Sequence, residues 1–74
     1  MKHNEYIDDI AKHWDKIVLE PLSYRSRPIR CSGHTLFVEA DDSITREEIA
    51  VLSPAIYNRI QELFKIKIKQ LLFV

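Results

Sequence analysis

The stretch PIRCSGHTLFVEADDS, residues 28–43, constrains the fold more than any other part of the sequence. Apolar and polar residues alternate on both sides of the only glycine in the chain, as in β-strands that bury one face. Because glycine readily adopts a positive φ, we predict a hairpin with a two-residue turn at Ser32–Gly33. Asp42 and Ser43 end the second strand, and either side chain is suited to cap a following helix.

The alternation also predicts which side chains of the hairpin face the core. Pro28 begins the first strand or lies at an edge, where its missing N–H does least harm. Ile29 and Cys31 are expected to face the core, with Arg30 on the opposite side. In the second strand the core side is expected to hold Leu36, Val38 and Ala40, and the other side Thr35, Phe37 and Glu39.

Helical periodicity precedes and follows the hairpin. Residues 4–19 are predicted to form one helix, which Asn4 caps and Pro21 ends. Its apolar stripe comprises Ile7, Ile10, Ala11, Trp14, Ile17 and Val18. The stripe after the hairpin comprises Ile49, Leu52, Ile56, Ile60 and Leu63. Pro54 interrupts the second stripe without changing its phase, which indicates one kinked helix or two helices nearly in line, with Ser53 capping the second.

The last segment, KIKIKQLLFV, alternates sharply from Lys65 to Lys69 and predicts a third strand. The element order is therefore α-β-β-α-β, an α+β class with a three-stranded sheet and the helices packed on one face. The connection from the second strand to the third is expected to be a right-handed crossover. A chain of 74 residues is small, so residues 1–74 are predicted to form a single domain whose sheet keeps one face open.

Composition and charge narrow the class of protein. Apolar residues make up 46% and charged residues 30%, so the chain is expected to fold. Eleven basic residues balance eleven acidic ones, so only an uneven distribution of charge could indicate a nucleic-acid partner. Cys31 is the only cysteine and cannot form an internal disulfide, which fits a reducing compartment. With no apolar stretch near the ~20 residues of a membrane span and no signal-peptide pattern, the expected location is cytoplasmic, away from membranes.

Metal and catalytic chemistry have little support in the sequence. A zinc site needs three or four converging ligands, whereas His34 lies at the predicted turn and Cys31 faces inward, with His3 and His13 upstream. We therefore predict a buried thiol and surface histidines, and no metal. No serine lies in a nucleophile-elbow motif, and a single glycine leaves no phosphate-cradling loop. The chain is predicted to be no enzyme and to hold no cofactor, and Trp14 is predicted to pack in the core.

The open face of the predicted sheet is the most informative surface. It would display Arg30, Thr35, Phe37, Glu39, Lys65, Lys67 and Lys69, with Arg25 and Arg27 entering from the side. Cations beside an exposed aromatic ring suit single-stranded nucleic acid, with phosphates on the cations and a base on the ring. Lysines on a last strand also discourage edge-to-edge aggregation, and Phe37 could be covered by Tyr24 or by a partner protein, so a solvated face and a protein-docking face remain alternatives.

A series of motifs in fixed order covers about residues 13 to 73. They are a tryptophan before an Ile-Val pair, a proline after a polar run, a glycine before an alternating strand, an apolar helix with an internal proline, and a closing strand. The matching residues are Trp14, Ile17, Val18, Arg27, Pro28, Gly33, Leu36, Val38, Ile49, Leu52, Pro54, Ile56, Ile68 and Phe73. In this order they resemble the DciA family of bacterial proteins, which are associated with loading the replicative DNA helicase. The chain departs from the family pattern at Leu19, where a glycine is usual.

The resemblance implies a KH-like α-β-β-α-β domain that contacts the replicative DNA helicase and DNA. A true KH domain grips nucleic acid through a GxxG loop, which this sequence lacks. Binding of single- or double-stranded DNA would then use the basic sheet face, with Arg25, Arg27, Arg30, Lys65, Lys67 and Lys69 on phosphates and Phe37 on a base. The alternative is a protein-interaction module without nucleic-acid affinity. A steep loss of binding with rising salt distinguishes the first from the second.

Overall fold

The computed structural model describes residues 5–74, which contain four helices and three strands. The helices are α1 (Glu5–Lys12), α2 (Trp14–Ile17), α3 (Ser43–Val51) and α4 (Ser53–Phe64), with a 3-10 turn at Leu22–Arg25. The strands are β1 (Ser26–Ser32), β2 (Thr35–Ala40) and β3 (Gln70–Phe73), in the sheet order β1-β2-β3. β1 is antiparallel to β2, and β2 is parallel to β3. The predicted fold class and three-stranded sheet are confirmed.

One apolar cluster joins the helices to one face of the sheet. Its fully buried members include Ile10 and Ile17 from the first helices, Leu36 and Val38 from β2, and Ile60 from α4. Burial alternates along β2 as predicted, because successive side chains of a strand point to opposite faces. The helices therefore cover one face and leave the other open. No helix within residues 5–74 has the length and apolar character needed to cross a membrane.

The first predicted helix is interrupted and is shorter than expected. It breaks at His13, whose φ of −110° is not helical, and it ends at Ile17 because Val18 is extended. Trp14 follows the break and is buried in the core, as predicted, where its Nε1–H donates to Ser26 Oγ at 3.1 Å. Ala11, which the periodicity placed on the buried stripe, is exposed. The predicted cap at Asn4 lies outside the described residues.

Two details of the predicted hairpin are wrong. Ser32 pairs with Thr35, so the two-residue turn is Gly33–His34 and Ser32 belongs to β1. Gly33 does adopt the positive φ of 60° that the prediction required. The register shifts between Pro28 and Arg30, because Ile29 is an extra residue in a β-bulge. Ile29 is consequently 45% exposed and does not share the core face with Cys31.

The segment around Pro54 forms two helices separated at Leu52. Asp42 caps α3, since its side-chain carboxylate accepts the Thr45 N–H at 2.8 Å. The prediction that Ser53 caps α4 is wrong, because Ser53 is the first residue of the helix and no side chain caps that end. The predicted stripe is buried at Ile49, Ile56 and Ile60, whereas Leu52 and Leu63 are exposed.

The KIKIK segment is not a strand. Lys65 ends α4 in the left-handed region with a φ of 61°, and residues 65–69 then cross to the edge of β2. Pairing begins only where Gln70 meets Thr35, so Lys65, Lys67 and Lys69 do not lie on a third strand. Their alternation still has a physical cause, because Ile66 and Ile68 turn toward the core while the lysines stay in solvent.

Candidate nucleic-acid interface

The register of the sheet defines its open face. Arg30 lies opposite Phe37, and Phe37 pairs in turn with Leu72 of β3. Paired residues on neighbouring strands point to the same face, so these three side chains form a row across the sheet. Thr35 and Gln70 form the next row toward the hairpin turn. The third strand therefore contributes Gln70 and Leu72 to the open face, where the sequence predicted lysines.

Arg30 and Phe37 form the centre of this face. The guanidinium carbon of Arg30 lies 4.3 Å from the centroid of the Phe37 ring, a cation–π contact. The ring is half-buried beneath the guanidinium and beside Leu72. A guanidinium plane held over a ring offers a flat, positively charged surface on which a base can stack. This pair matches the prediction that both side chains share the open face.

The lysines after α4 are held near the same end of the sheet through their backbone. The Nδ1–H of His34 donates to the Lys67 carbonyl oxygen at 2.8 Å. The His34 carbonyl oxygen in turn accepts the N–H of Lys69 at 2.8 Å and of Gln70 at 3.2 Å. The ammonium groups of Lys67 and Lys69 stay exposed, and among the side chains of residues 6–74 no carboxylate forms an ion pair with them. Within the described part of the chain, no ion pair has to break for these ammonium groups to meet phosphates.

Arg27 differs from these cations because its charge is already compensated. Its guanidinium donates to Glu39 at 2.8 Å and to Asp41 at 2.6 Å. Hydrogen bonds to Asp41 and then Glu39 raise the pKa of Arg27. A phosphate would have to compete with both carboxylates for this guanidinium. The geometry therefore weakens the predicted role of Arg27 in DNA contact.

The remaining predicted residues lie at the margins of this surface. Arg25 precedes β1 beside the acidic residues that follow β2, and its carbonyl oxygen accepts the Asp41 N–H at 2.9 Å. Lys65 lies at the end of α4 beside Asn58, Gln61 and Glu62. The structure thus brings Arg30, Phe37, Lys67 and Lys69 toward the hairpin end of the sheet and leaves Arg25 and Lys65 apart from them.

Sequence reasoning missed three residues of this surface: His34, Gln70 and Leu72. Gln70 and Leu72 were missed because the alternating lysines led the prediction to begin the third strand at Lys65, five residues before β3 begins. The signal was present in the apolar QLLF run, which suits a strand that pairs beside β2. The anchoring role of His34 had no signal in the sequence, because it depends on a contact with Lys67, thirty-three residues away.

The groups considered for metal or nucleophilic chemistry are engaged elsewhere. Cys31 is buried in the core, and desolvation raises the pKa of its thiol, which disfavours the reactive thiolate. His13 Nδ1 bonds the Asp9 carbonyl oxygen at 3.0 Å, as His34 bonds Lys67. Among the residues that the structure describes, no group of three or more His, Cys, Asp or Glu residues is arranged to hold a metal ion. His3 lies outside the described part of the chain.

Comparison with known proteins supplies one further finding. Residues 1–73 match the family model described as "Dna[CI] antecedent, DciA", which is nearly the whole chain. A search of the curated proteins finds no match. The α+β order of the structure is compatible with the KH-like domain that the family resemblance implies.

Proposed function

Because the chain belongs to the DciA family of helicase loaders, we propose that it assists loading of the replicative DNA helicase and binds DNA through the hairpin end of its open sheet face. The DNA-binding residues in this proposal are Arg30, Phe37, Lys67 and Lys69, with Lys65, Arg25 and Arg27 in lesser roles. In this proposal the chain supplies no hydrolytic chemistry, and any ATP consumed during loading is consumed by the helicase. As a replication protein it would act in the bacterial cytoplasm.

One observation carries the DNA-binding part of this proposal. His34 holds, through their backbone, two lysines that form no ion pair with the described side chains, at one end of a sheet face whose centre is a guanidinium over an aromatic ring. Proteins that bind single strands combine two features: cations that follow the nucleic-acid backbone, and flat side chains on which bases stack. Their positions are fixed by backbone hydrogen bonds, so little conformational entropy of the backbone is lost on binding.

A second candidate function uses the same face for protein alone. Leu72 is 40% exposed and Ile29 is 45% exposed, and both lie near the Arg30–Phe37 pair. Apolar and aromatic groups with an arginine are typical of the buried centre of protein interfaces. In this alternative the face docks on a partner and has no affinity for nucleic acid.

Fluorescence anisotropy of labelled single-stranded DNA, at low and moderate salt, separates the two functions. We compare the wild type with a Lys67→Glu/Lys69→Glu variant and with a Lys12→Glu/Lys16→Glu control. The control makes the same change in net charge at exposed positions of α1 and α2. We expect salt-sensitive binding by the wild type, and at least about a tenfold loss in the first variant only. The salt dependence of log K should fall by about 0.7 for each lost phosphate contact.

Two results would contradict the DNA-binding proposal. If the wild type does not bind at low salt, the face serves protein docking. If the helical control loses as much affinity as the hairpin variant, binding follows net charge and is not located at this surface. A duplex and an RNA strand of equal length establish the preferred nucleic acid, and co-migration with purified replicative helicase tests the loading role separately.

A further inference from the structure

An apolar groove lies beside the start of β1, at the end of the hairpin opposite to Lys67 and Lys69. Two adjoining depressions of about 380 Å³ and 280 Å³ share Leu22, Glu48 and Leu52 in their lining. The first extends to Val51 on α3, and the second to the chain segment at Leu19–Pro21. Several of the apolar side chains here are unusually exposed: Val51 by 78%, Leu19 by 57% and Leu52 by 41%.

The apolar surface continues along α3 from the groove. Ile44 is 70% exposed and lies seven residues before Val51, which places both on the same side of the helix. Glu48 lies between them on this side and Glu47 beside it. At 1.5 Å per residue, the track from Ile44 to Val51 is about 10 Å long, close to two helical turns. It therefore suits an elongated partner better than a compact small molecule.

The walls of the groove are fixed by polar contacts. The guanidinium of Arg59 on α4 donates to the Ile17 carbonyl oxygen at 3.0 Å and so holds the start of the Leu19–Leu22 segment. At the other end of that segment, Ser26 Oγ donates to the Leu22 carbonyl oxygen at 2.7 Å. The Tyr24 hydroxyl donates to the Glu20 carboxylate, and this bond raises the pKa of Tyr24. The groove is thus formed before any partner arrives.

Charge at the rim indicates the chemistry of the partner. Among the described residues, Glu20, Glu47 and Glu48 line the groove together with a single cation, Arg59. Three carboxylates against one guanidinium repel phosphate backbones and attract ammonium and guanidinium groups. An apolar floor with an acidic rim is complementary to apolar anchors that Lys or Arg residues flank, the pattern of helices that dock in grooves.

We propose that this groove binds an amphipathic helix of a partner protein, whose apolar anchors are flanked by Lys or Arg residues. The site shares no residue with the proposed DNA surface. Leu22 lies beside the start of β1, whereas the lysines lie beside the Gly33–His34 turn at the other end of the hairpin. The protein can therefore hold a protein helix and DNA at the same time.

The test uses designed fluorescent peptides, with the intact chain as receptor. The probe is a helical peptide with leucine anchors at i, i+3, i+4 and i+7 and flanking lysines. Its twin carries glutamates in place of the lysines. We expect the basic peptide to bind at least about tenfold more tightly than its acidic twin, because a like-charged rim opposes the twin. Backbone amide shifts should change around Leu22, Glu48 and Val51.

Substitutions in the chain then locate the contact. Val51→Asp should lower the affinity for the basic peptide at least about tenfold, because it places a charge on the apolar floor. Leu63→Asp changes another exposed apolar residue, which lies on α4 outside the groove and is 48% exposed against 78% for Val51, and it should leave the affinity unchanged. Glu47→Lys/Glu48→Lys should reverse the preference, so that the acidic twin binds more tightly than the basic peptide. A merely structural role of these residues would not produce that reversal.

The outcomes that overturn the proposal are distinct from failure of DNA binding. Equal binding of both peptides, an equal loss in Val51→Asp and Leu63→Asp, or amide shifts confined to the open sheet face each exclude a basic helix in this groove. Concentration-dependent dimerisation abolished by Val51→Asp would assign the groove to a second copy of the chain. The three variants should bind single-stranded DNA like the wild type, and a groove variant that loses DNA binding would show that the groove takes nucleic acid.

Discussion

The two ends of the hairpin differ in character, although the chain as a whole has no net charge. At the Gly33–His34 turn, exposed lysines are anchored through their backbone and lie near a stacked guanidinium. At the start of β1, an apolar groove has a rim of glutamates. A balanced composition therefore conceals two surfaces of opposite sign. The balance of charges excludes little about partners until each charge is assigned to a place in the fold.

A substitution in the core that both ends of the hairpin share should destabilise the two surfaces together. Leu36 is fully buried on the face of β2 that the helices cover. We expect Leu36→Ala to lower the free energy of unfolding by about 2–5 kcal/mol, from lost apolar contact and the cavity that remains. Chemical denaturation measures this change. If the loss is below about 1 kcal/mol, the side chain is less well packed than the structure indicates.

The groove end should respond to Trp14. Its indole N–H donates to Ser26 Oγ, which donates onward to the Leu22 carbonyl oxygen. We expect Trp14→Phe to cost about 1–3 kcal/mol of stability, from the lost hydrogen bond and lost packing. Hydrogen exchange should quicken in residues 22–26 more than at the Gly33–His34 turn. An even change across both ends would contradict a local anchoring role for this indole.

The hairpin end should respond to Gly33. Nothing lies within 4 Å of the place where a Cβ would be built, but the φ of +60° is strained for other residues. Gly33→Ala should therefore cost about 1–2 kcal/mol through backbone conformation alone. Gly33→Asn should cost less, since asparagine tolerates this region. Thermal unfolding of both variants measures the difference, and a steric origin would instead make the larger asparagine the worse of the two.

The Asp42 cap of α3, the helix that lines the groove, should make the stability of the protein depend on pH. The Thr45 N–H lowers the pKa of Asp42 below its ordinary value of 3.8, so the ionised cap is favoured in the folded chain. Its stabilising contribution is present above the unfolded value and is lost as pH falls through the lowered folded value. The melting temperature of Asp42→Ala should lie below that of the wild type near neutral pH, and the gap should narrow in acid. A gap that is constant with pH would exclude this origin.

The smallest effect is expected at Arg27, and it sharpens the contrast among the cations of the sheet. Because Glu39 and Asp41 already occupy its guanidinium, Arg27→Gln should change affinity for single-stranded DNA less than about twofold, against at least about tenfold for the lysine variant. Anisotropy titration at low salt compares the two. A loss at Arg27 as large as that at the lysines would show that phosphate displaces the carboxylates.

The fold class followed from the sequence because burial periodicity is a local property. The alternation from Thr35 to Ala40 and the spacing of Ile49, Ile56 and Ile60 report one-sided burial directly. The same signal misplaced β3, because Ile66 and Ile68 alternate with lysines while crossing to the sheet without strand pairing. Alternation shows which side of a segment is buried, whereas pairing depends on where a distant strand lies.

The candidate site was predictable only in its local part. The shared face of Arg30 and Phe37 followed from the strand pattern, and their cation–π contact is consistent with it. The neutralisation of Arg27 required the pairing of Arg27 with Glu39, which no local pattern supplies. The apolar groove was missed for a similar reason. Leu52 belongs to a helical stripe that predicted burial, but it lies between α3 and α4 and is 41% exposed.

The bulge at Ile29 has a consequence for how the sequence can change in length. Removing one residue from a regular strand sends every side chain beyond it to the opposite face. In β1 the extra residue already separates Pro28 from Arg30, and Arg27 and Ser26 keep their faces on the far side of it. Deletion of Ile29 would restore an uninterrupted ladder with Arg27 still outward and Ser26 still beneath Trp14. Position 29 is therefore where related sequences can lose a residue from this strand without inverting it.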